Sequence, residues 1–188
     1  MIYLSTKRLV LRQWQDADYP IFAAMNADPK VMKHFPALLT RAESDDGINR
    51  VRAHIEEHGY GFWAVERRDT GEFIGFIGLK HNLEVLPFAP CVEIGWRLHP
   101  RHWGYGFATE GACSALEFAF TERKLDSIYS FTPTTNKASE NVMKKLGMRN
   151  TGNDFNHPLL EAGHVLERHV LYKIMREEWL SGSGPAGK

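Results

Sequence analysis

The stretch from Val92 to Thr109 limits this chain more than any other. It reads as a strand over Cys91 to Leu98, a stop at His99-Pro100, and a loop with Gly104 and Gly106 opening a helix that runs to Phe120. A strand that passes through a glycine loop into a helix leaves free backbone N–H groups at the helix start. With the positive end of the helix dipole, those groups bind phosphate. Gly104 and Gly106 let the backbone approach a diphosphate closely, and Ala108 keeps the first turn small. A dinucleotide-binding site is excluded by two residues. Thr109 stands where the third glycine belongs, and Asp126 lies at the start rather than the end of the next strand.

The rest of the chain supplies alternating elements around that turn. Arg8 to Arg12 alternates as an edge or first strand, and Asp16 to Asp18 opens a short helix over Tyr19 to Met25. Pro29 to His34 is expected to form another helical turn. Arg41 to His58 places Ile48, Val51 and Ile55 at helical spacing, which predicts an amphipathic helix. Tyr60 to Val65 and Glu72 to Leu79 flank turn residues as a hairpin, and His81 to Pro90 reads as a loop. In the helix after the glycine loop, Ala112, Ala115, Leu116 and Ala119 share one face. A strand over Leu125 to Thr132 follows. Next comes a helix over Lys137 to Leu146 that stops at Gly147, and then a loop-rich stretch from Arg149 to Gly163. A last strand over His164 to Ile174 leads to a short helical piece ending near Leu180. This order means an α/β fold with a mixed sheet, in one domain over 1–180 with a flexible tail over 181–188.

Composition removes several function classes. Lys plus Arg and Asp plus Glu number 23 each, so the net charge is zero and the basic excess of a nucleic-acid or anionic-membrane binder is missing. No apolar run approaches the roughly 18 residues that span a bilayer. Cys91 and Cys113 are the only cysteines, too few for a disulfide framework, so a cytoplasmic setting is the expectation. The nine histidines form no metal-binding spacing, and no metal is expected.

Arg101-x-x-Gly104-x-Gly106-x-Ala108 resembles the acetyl-CoA signature of the GNAT N-acetyltransferase superfamily. Downstream, Asn136, Ser139, Val142, Lys145, Gly147 and Met148 resemble the second GNAT motif in its RimJ/RimL-like form. Thr6, Arg8, Leu9, Leu11 and Arg12, and the strand Glu93 to Trp96, are similar to that branch as well. The likeness runs in order from about residue 4 to residue 175. It implies a central mixed, mostly antiparallel sheet (α+β type), splayed between its fourth and fifth strands, with helices on both faces. Here those strands are Cys91–Leu98 and Leu125–Thr132.

The resemblance also implies a cofactor site. Acetyl-CoA would lie in the V, its pantetheine paired with main chain at Trp96 and Leu98. Its diphosphate would rest on the loop of Arg101, His102, Trp103, Gly104, Tyr105, Gly106, Phe107, Ala108 and Thr109. Asn136 would meet the pantetheine, and Lys144 or Lys145 the ribose phosphate. Many relatives carry a Tyr seven residues after the Asn as general acid. This chain has Met143 there, so Ser139 inherits the role.

The implied reaction is attack of a primary amine on an acetyl thioester. It needs an amine that has lost a proton, a donor for the developing oxyanion and a hydrogen bond for the thiolate. Holding a lysine-like amine neutral at pH 7 costs about 4.6 kcal/mol, an α-amine only ~1–1.4 kcal/mol. Glu93 is the candidate base; the competing role is an ion pair that orders its strand. Trp14, Phe155 and His157 are candidates to contact the acceptor, a protein N-terminus or a small amine. A polyamine would want an acidic pocket, for which Asp45, Asp46, Glu56 and Glu57 are available. A non-catalytic CoA-binding sensor is the other alternative. A homodimer through the sheet edge is the assembly considered.

Overall fold

The fold grows from a meander of antiparallel strands, each pairing with the next along the chain. A computed structural model describes residues 1–83 and 86–183. Strands β1 (Ile2–Ser5), β2 (Leu9–Arg12), β3 (Phe62–Arg67), β4 (Phe73–Asn82) and β5 (Cys91–Leu98) lie side by side in chain order. The sheet continues through β6 (Ser127–Pro133) to β9 (Arg168–Met175), with the two-residue strands β7 (Arg149–Asn150) and β8 (Phe155–Asn156) pairing against β9. Every pairing is antiparallel except β5 with β6.

Helices cover both faces. α3 (Phe107–Thr121) lies on the face of Leu9, Trp63 and Ile77; Phe118 meets Trp63 edge-on at 5.6 Å. Its predicted apolar face is correct, since Ala112, Ala115, Leu116 and Ala119 are all fully buried. α1 (Asp18–Asn26) lies on the opposite face, where Phe22 packs against Phe76, and α2 (Arg41–His58) packs against α1. Buried Arg12 joins α1 to β2, bonding both oxygens of Asp18 at 2.7 and 2.9 Å and also Glu66. α2 starts at a reciprocal Thr40–Glu43 cap and ends at Gly59, whose φ of 73° only glycine adopts at little cost. α4 (Lys137–Lys145) is capped by Asn136, and α5 (Arg176–Glu178) closes the chain into a π-helical turn over Trp179–Ser183.

Several expectations need correction. Arg8–Arg12 is not the edge strand, because β1 pairs outside it. Pro29–His34 is not a regular helix but does hold a single i→i−4 turn, Met32 N to Asp28 O at 3.0 Å, followed by Phe35 N to Met32 O at 2.8 Å. The loop-rich stretch holds β7 and β8, and β4 extends two residues, His81 and Asn82, into the expected loop. Glu84 and Val85 of that loop, and 184–188 of the expected tail, lie outside the described residues. Among the described residues no helix is long and apolar enough to cross a membrane.

The meander packs without side chains at one crossing. A Cβ on Gly78 would sit 1.9 Å from the Gly61 carbonyl oxygen, which accepts from Leu79 N. Gly78→Ala should therefore destabilise the fold by about 2 kcal/mol, lowering the thermal midpoint by roughly 4–8 °C. An unchanged melting curve would contradict this packing.

Candidate active site in the splayed cleft

β5 and β6 touch and then part. Their only ladder position is Glu93 opposite Tyr129, and just beyond it Ser130 Oγ donates to Ile94 O at 3.1 Å. Past that point a cavity of about 830 Å³ opens. It lies between the C-terminal half of β5, the start of α3, β6, α4 and the connection from α1 to α2. That size suits a small-molecule site.

The cavity edge of β5 carries unused backbone groups. Ile94 O and Leu98 O both point to this side, because they accept from Ser130 and from Trp103 Nε1 (2.7 Å). Main-chain direction in an antiparallel ladder repeats every second residue, so Trp96 N–H and C=O face the gap as well. Leu98 is thus partly committed to Trp103, and Trp96 is left open.

The first turn of α3 opens on the same space. Gly106 caps it with φ of 80° and no side-chain cap, so the amides of Phe107, Ala108 and Thr109 have no acceptor within the helix. Gly104 has φ of 84° and nothing within 4 Å of where a Cβ would stand. This is a cradle of donors with room for a phosphate.

A clamp from the N-terminus holds the cradle. Glu110 accepts from Arg8 N at 2.8 Å and Arg8 Nε at 2.6 Å, and Arg8 Nη1 donates to Tyr105 O at 2.9 Å. Burial opposes the charge on Glu110, but hydrogen bonds from Thr6 and Arg8 outweigh it and hold its pKa below the ordinary value.

α4 forms the facing wall. Asn136 Oδ1 caps Ser139 N at 3.3 Å while its Nδ2 donates to Thr132 Oγ1 at 2.9 Å. Ser139 lines the cavity beside buried Met143. Next to Ser139, buried Glu140 accepts from Lys137, Lys144 and Tyr172 at 2.8–2.9 Å, tying α4 to β9. Those hydrogen bonds pull its pKa down to about 2. Lys144 is spent there, whereas Lys145 lines the cavity.

On the face away from α3, β5 presents Glu93 and Arg97. Burial raises the Glu93 pKa, opposed by Lys80, whose Nζ lies 4.0 Å away. His157 and His169 line the same end with rings 4.9 Å apart, and burial is the main cause holding both pKa values down.

Of the residues singled out from the sequence, Glu93, Trp96, Leu98, Asn136, Ser139, Lys145 and His157 line this one cavity. So do the glycine-loop residues, except Arg101 and Tyr105, which are exposed on its outer side. Two expectations about the acceptor need correction. Trp14 is core: it packs on Phe22 and Phe73, and its Nε1 donates to Phe62 O at 2.8 Å. Phe155 is buried in a small cluster with Leu86, Cys91 and Leu171, behind the cavity wall. Asp45, Asp46, Glu56 and Glu57 do not line the cavity. Sequence reasoning missed Phe35 and gave no role to Arg97, although the alternation of β5 puts it on the Glu93 face; His169, one of the histidines near the end of the sequence, joins His157 in the lining.

A family model described as "Acetyltransferase (GNAT) domain" matches residues 8–149. The protein YkkB of Bacillus subtilis is 32% identical over 146 residues, covering 77% of this chain and 84% of its own. An FsC-acetyl coenzyme A-N(2)-transacetylase of Aspergillus fumigatus is 37% identical over 172 residues, covering 86% and 71%. The crystal structure of a GNAT-family acetyltransferase from Bacillus anthracis superimposes with a TM-score of 0.78 at 24% identity, covering 95% of this chain and all of that one.

The Glu140 network makes a pH prediction. A carboxyl held at about 2 when folded and near 4.5 when unfolded contributes stability above pH ~4.5 and loses it as pH falls toward 2. Glu140→Gln should melt several degrees below the parent at pH 7. The gap should close between pH ~4.5 and ~2. A constant gap across that range would contradict the network.

Proposed function

The chain belongs to the GNAT acetyltransferase family, an acetyl-CoA-dependent enzyme family, and from that premise we propose that it acetylates a primary amine by direct attack inside the β5–β6 cleft. The observation that carries the reading is the uncapped start of α3, opening on the same cavity as the unpaired edge of β5. The amides of Phe107 to Thr109, with Gly104 and Gly106, would hold a diphosphate, and Trp96 main chain would pair with an amide-bearing arm. Both fit coenzyme A, which supplies the activated acetyl thioester. We place the chain in the RimJ/RimL-like branch on its Ser139 and Met143.

The chain's own groups then divide the work. Trp96 N–H, on the splayed edge of β5, would donate to the acyl oxygen as charge develops there. The Ser139 hydroxyl can donate to the departing sulfur. Glu93, shifted upward by burial, takes a proton from the attacking amine more readily near neutral pH than an exposed carboxylate would. An acceptor with a low amine pKa, such as an α-amine, lightens that demand. The named activity of the Aspergillus relative, transfer from acetyl coenzyme A to an N(2) nitrogen, is consistent with an amine acceptor. A polyamine is disfavoured, because Glu93 is the single carboxylate among the described cavity residues.

The test is thiol release from acetyl-CoA in the presence of a panel of primary amines. Turnover with at least one amine is expected, and none across the panel would overturn the reading. Ser139→Ala should lower kcat about tenfold or more with little change in acetyl-CoA affinity; an affinity loss alone would make Ser139 a binding residue. Glu93→Gln should lower kcat and remove the acidic limb of its pH profile, which should lie above that of an ordinary carboxylate. An unaltered profile would remove Glu93 from the base role.

A further inference from the structure

Arg97 is a cation with no carboxylate partner among the described residues. It lies on β5 opposite Phe76, on the sheet face away from α3, and lines the cavity. Its guanidinium stacks on Phe35 at 3.8 Å, with the Phe76 and Phe22 rings 5.5 and 5.9 Å away. Nη1 donates to the side-chain oxygen of Asn26, which is fully buried and held in turn by a bond from its own Nδ2 to Ser44 Oγ. Nε is buried and has no acceptor. Among the described residues no carboxylate pairs with Arg97. Its environment is desolvated enough to bring the pKa down to about 10, with no acid to oppose the shift, yet it remains charged at neutral pH.

A guanidinium taken out of water without a counter-charge is held at a free-energy cost, and a carboxylate in good hydrogen-bonding geometry offsets part of it. With the head stacked on Phe35, Nη1 engaged by Asn26 and Nε enclosed, Nη2 is left as the N–H group open to a further acceptor, and a carboxylate is the acceptor that answers the charge. The surroundings agree. Lys30 and Lys33, from the connection between α1 and α2, also line the cavity, against Glu93 as its one described acid. Arg97 leaves β5 on the sheet face opposite α3, whose first-turn amides form the phosphate cradle. Glu93 shares the Arg97 face, four residues back along the strand, or about 13 Å between Cα atoms.

We propose that Arg97 binds a carboxylate of the acceptor, so that the substrate is a small primary amine that also carries a carboxylate. The inference rests on the acetyltransferase reading above and narrows its acceptor. Glu93 faces the amine, and Arg97 fixes the other end of the molecule. Asn26 and Phe35 act as positioning residues that hold the guanidinium flat.

The experiment compares kcat/KM for amino acids, for ω-amino acids of increasing length, and for the matching amides, using the parent, Arg97→Gln and Arg97→Lys. The expected result is at least a tenfold preference of the parent for one or more carboxylates over their amides. Arg97→Gln should bring that ratio close to one, chiefly through KM of the acid, and Arg97→Lys should retain part of it. A parent that acetylates the amides as well as the acids, or only amines without a carboxylate, overturns the proposal while leaving the acetyltransferase reading intact. So does an Arg97→Gln ratio equal to the parent's, the outcome for a purely structural arginine. Transfer to no amine at all overturns both. Should Arg97→Gln fail to fold, as judged by its melting curve, the acid-to-amide ratio of the parent and of Arg97→Lys decides the matter.

Discussion

The site depends on one interrupted pairing. Parallel β5 and β6 meet only at Glu93 and Tyr129, and beyond that position each strand has an edge without a neighbour. Buried backbone groups that lose a ladder partner must find another. Ser130 and the Trp103 indole satisfy two of them, at Ile94 and Leu98. Trp96, between these, is left facing an open cavity. The same divergence gives the cavity its volume and places the bare start of α3 at its mouth. The fold therefore offers an amide-rich groove and a phosphate cradle in continuity.

What holds the two walls apart is rigid on both sides. Leu9, Leu11, Ile77 and Leu116 pack α3 against the meander with no exposure to solvent. Arg8 and Glu110 add a polar clamp between the N-terminal segment and the glycine loop. On the opposite wall, Asn136 and Glu140 lock α4 to β6 and β9. A donor groove set between fixed walls loses little order on binding, which favours affinity.

The glycine loop and its helix were legible because glycine, proline and a spaced alanine face each carry a local signal. α2 was legible from the helical spacing of Ile48, Val51 and Ile55, and its capping Thr40 and closing Gly59 fix the ends in the structure. β1 was not, because its four residues show no repeat long enough to register. β7 and β8, of two residues each, exist only by pairing with β9. Trp14 was misread for a related reason: its neighbours are polar and loop-like, and its burial against Phe22 comes from α1 folding over it. Arg97 was hidden because its significance is the lack of a carboxylate partner among the described residues, which only tertiary structure can display. The cations of the cavity, Arg97 on β5 and Lys30 and Lys33 between α1 and α2, come from segments far apart in the chain, so no local pattern announces them.

The central claim is that the α3 start and the β5 edge form one coenzyme site. The most direct measurement is a titration of the isotope-labelled protein with acetyl-CoA, followed through backbone amide shifts. The account predicts saturable one-to-one binding, with the largest changes at Trp96 and at Gly104 to Thr109. No saturable response up to millimolar acetyl-CoA, or changes confined to residues outside the cleft, would contradict it.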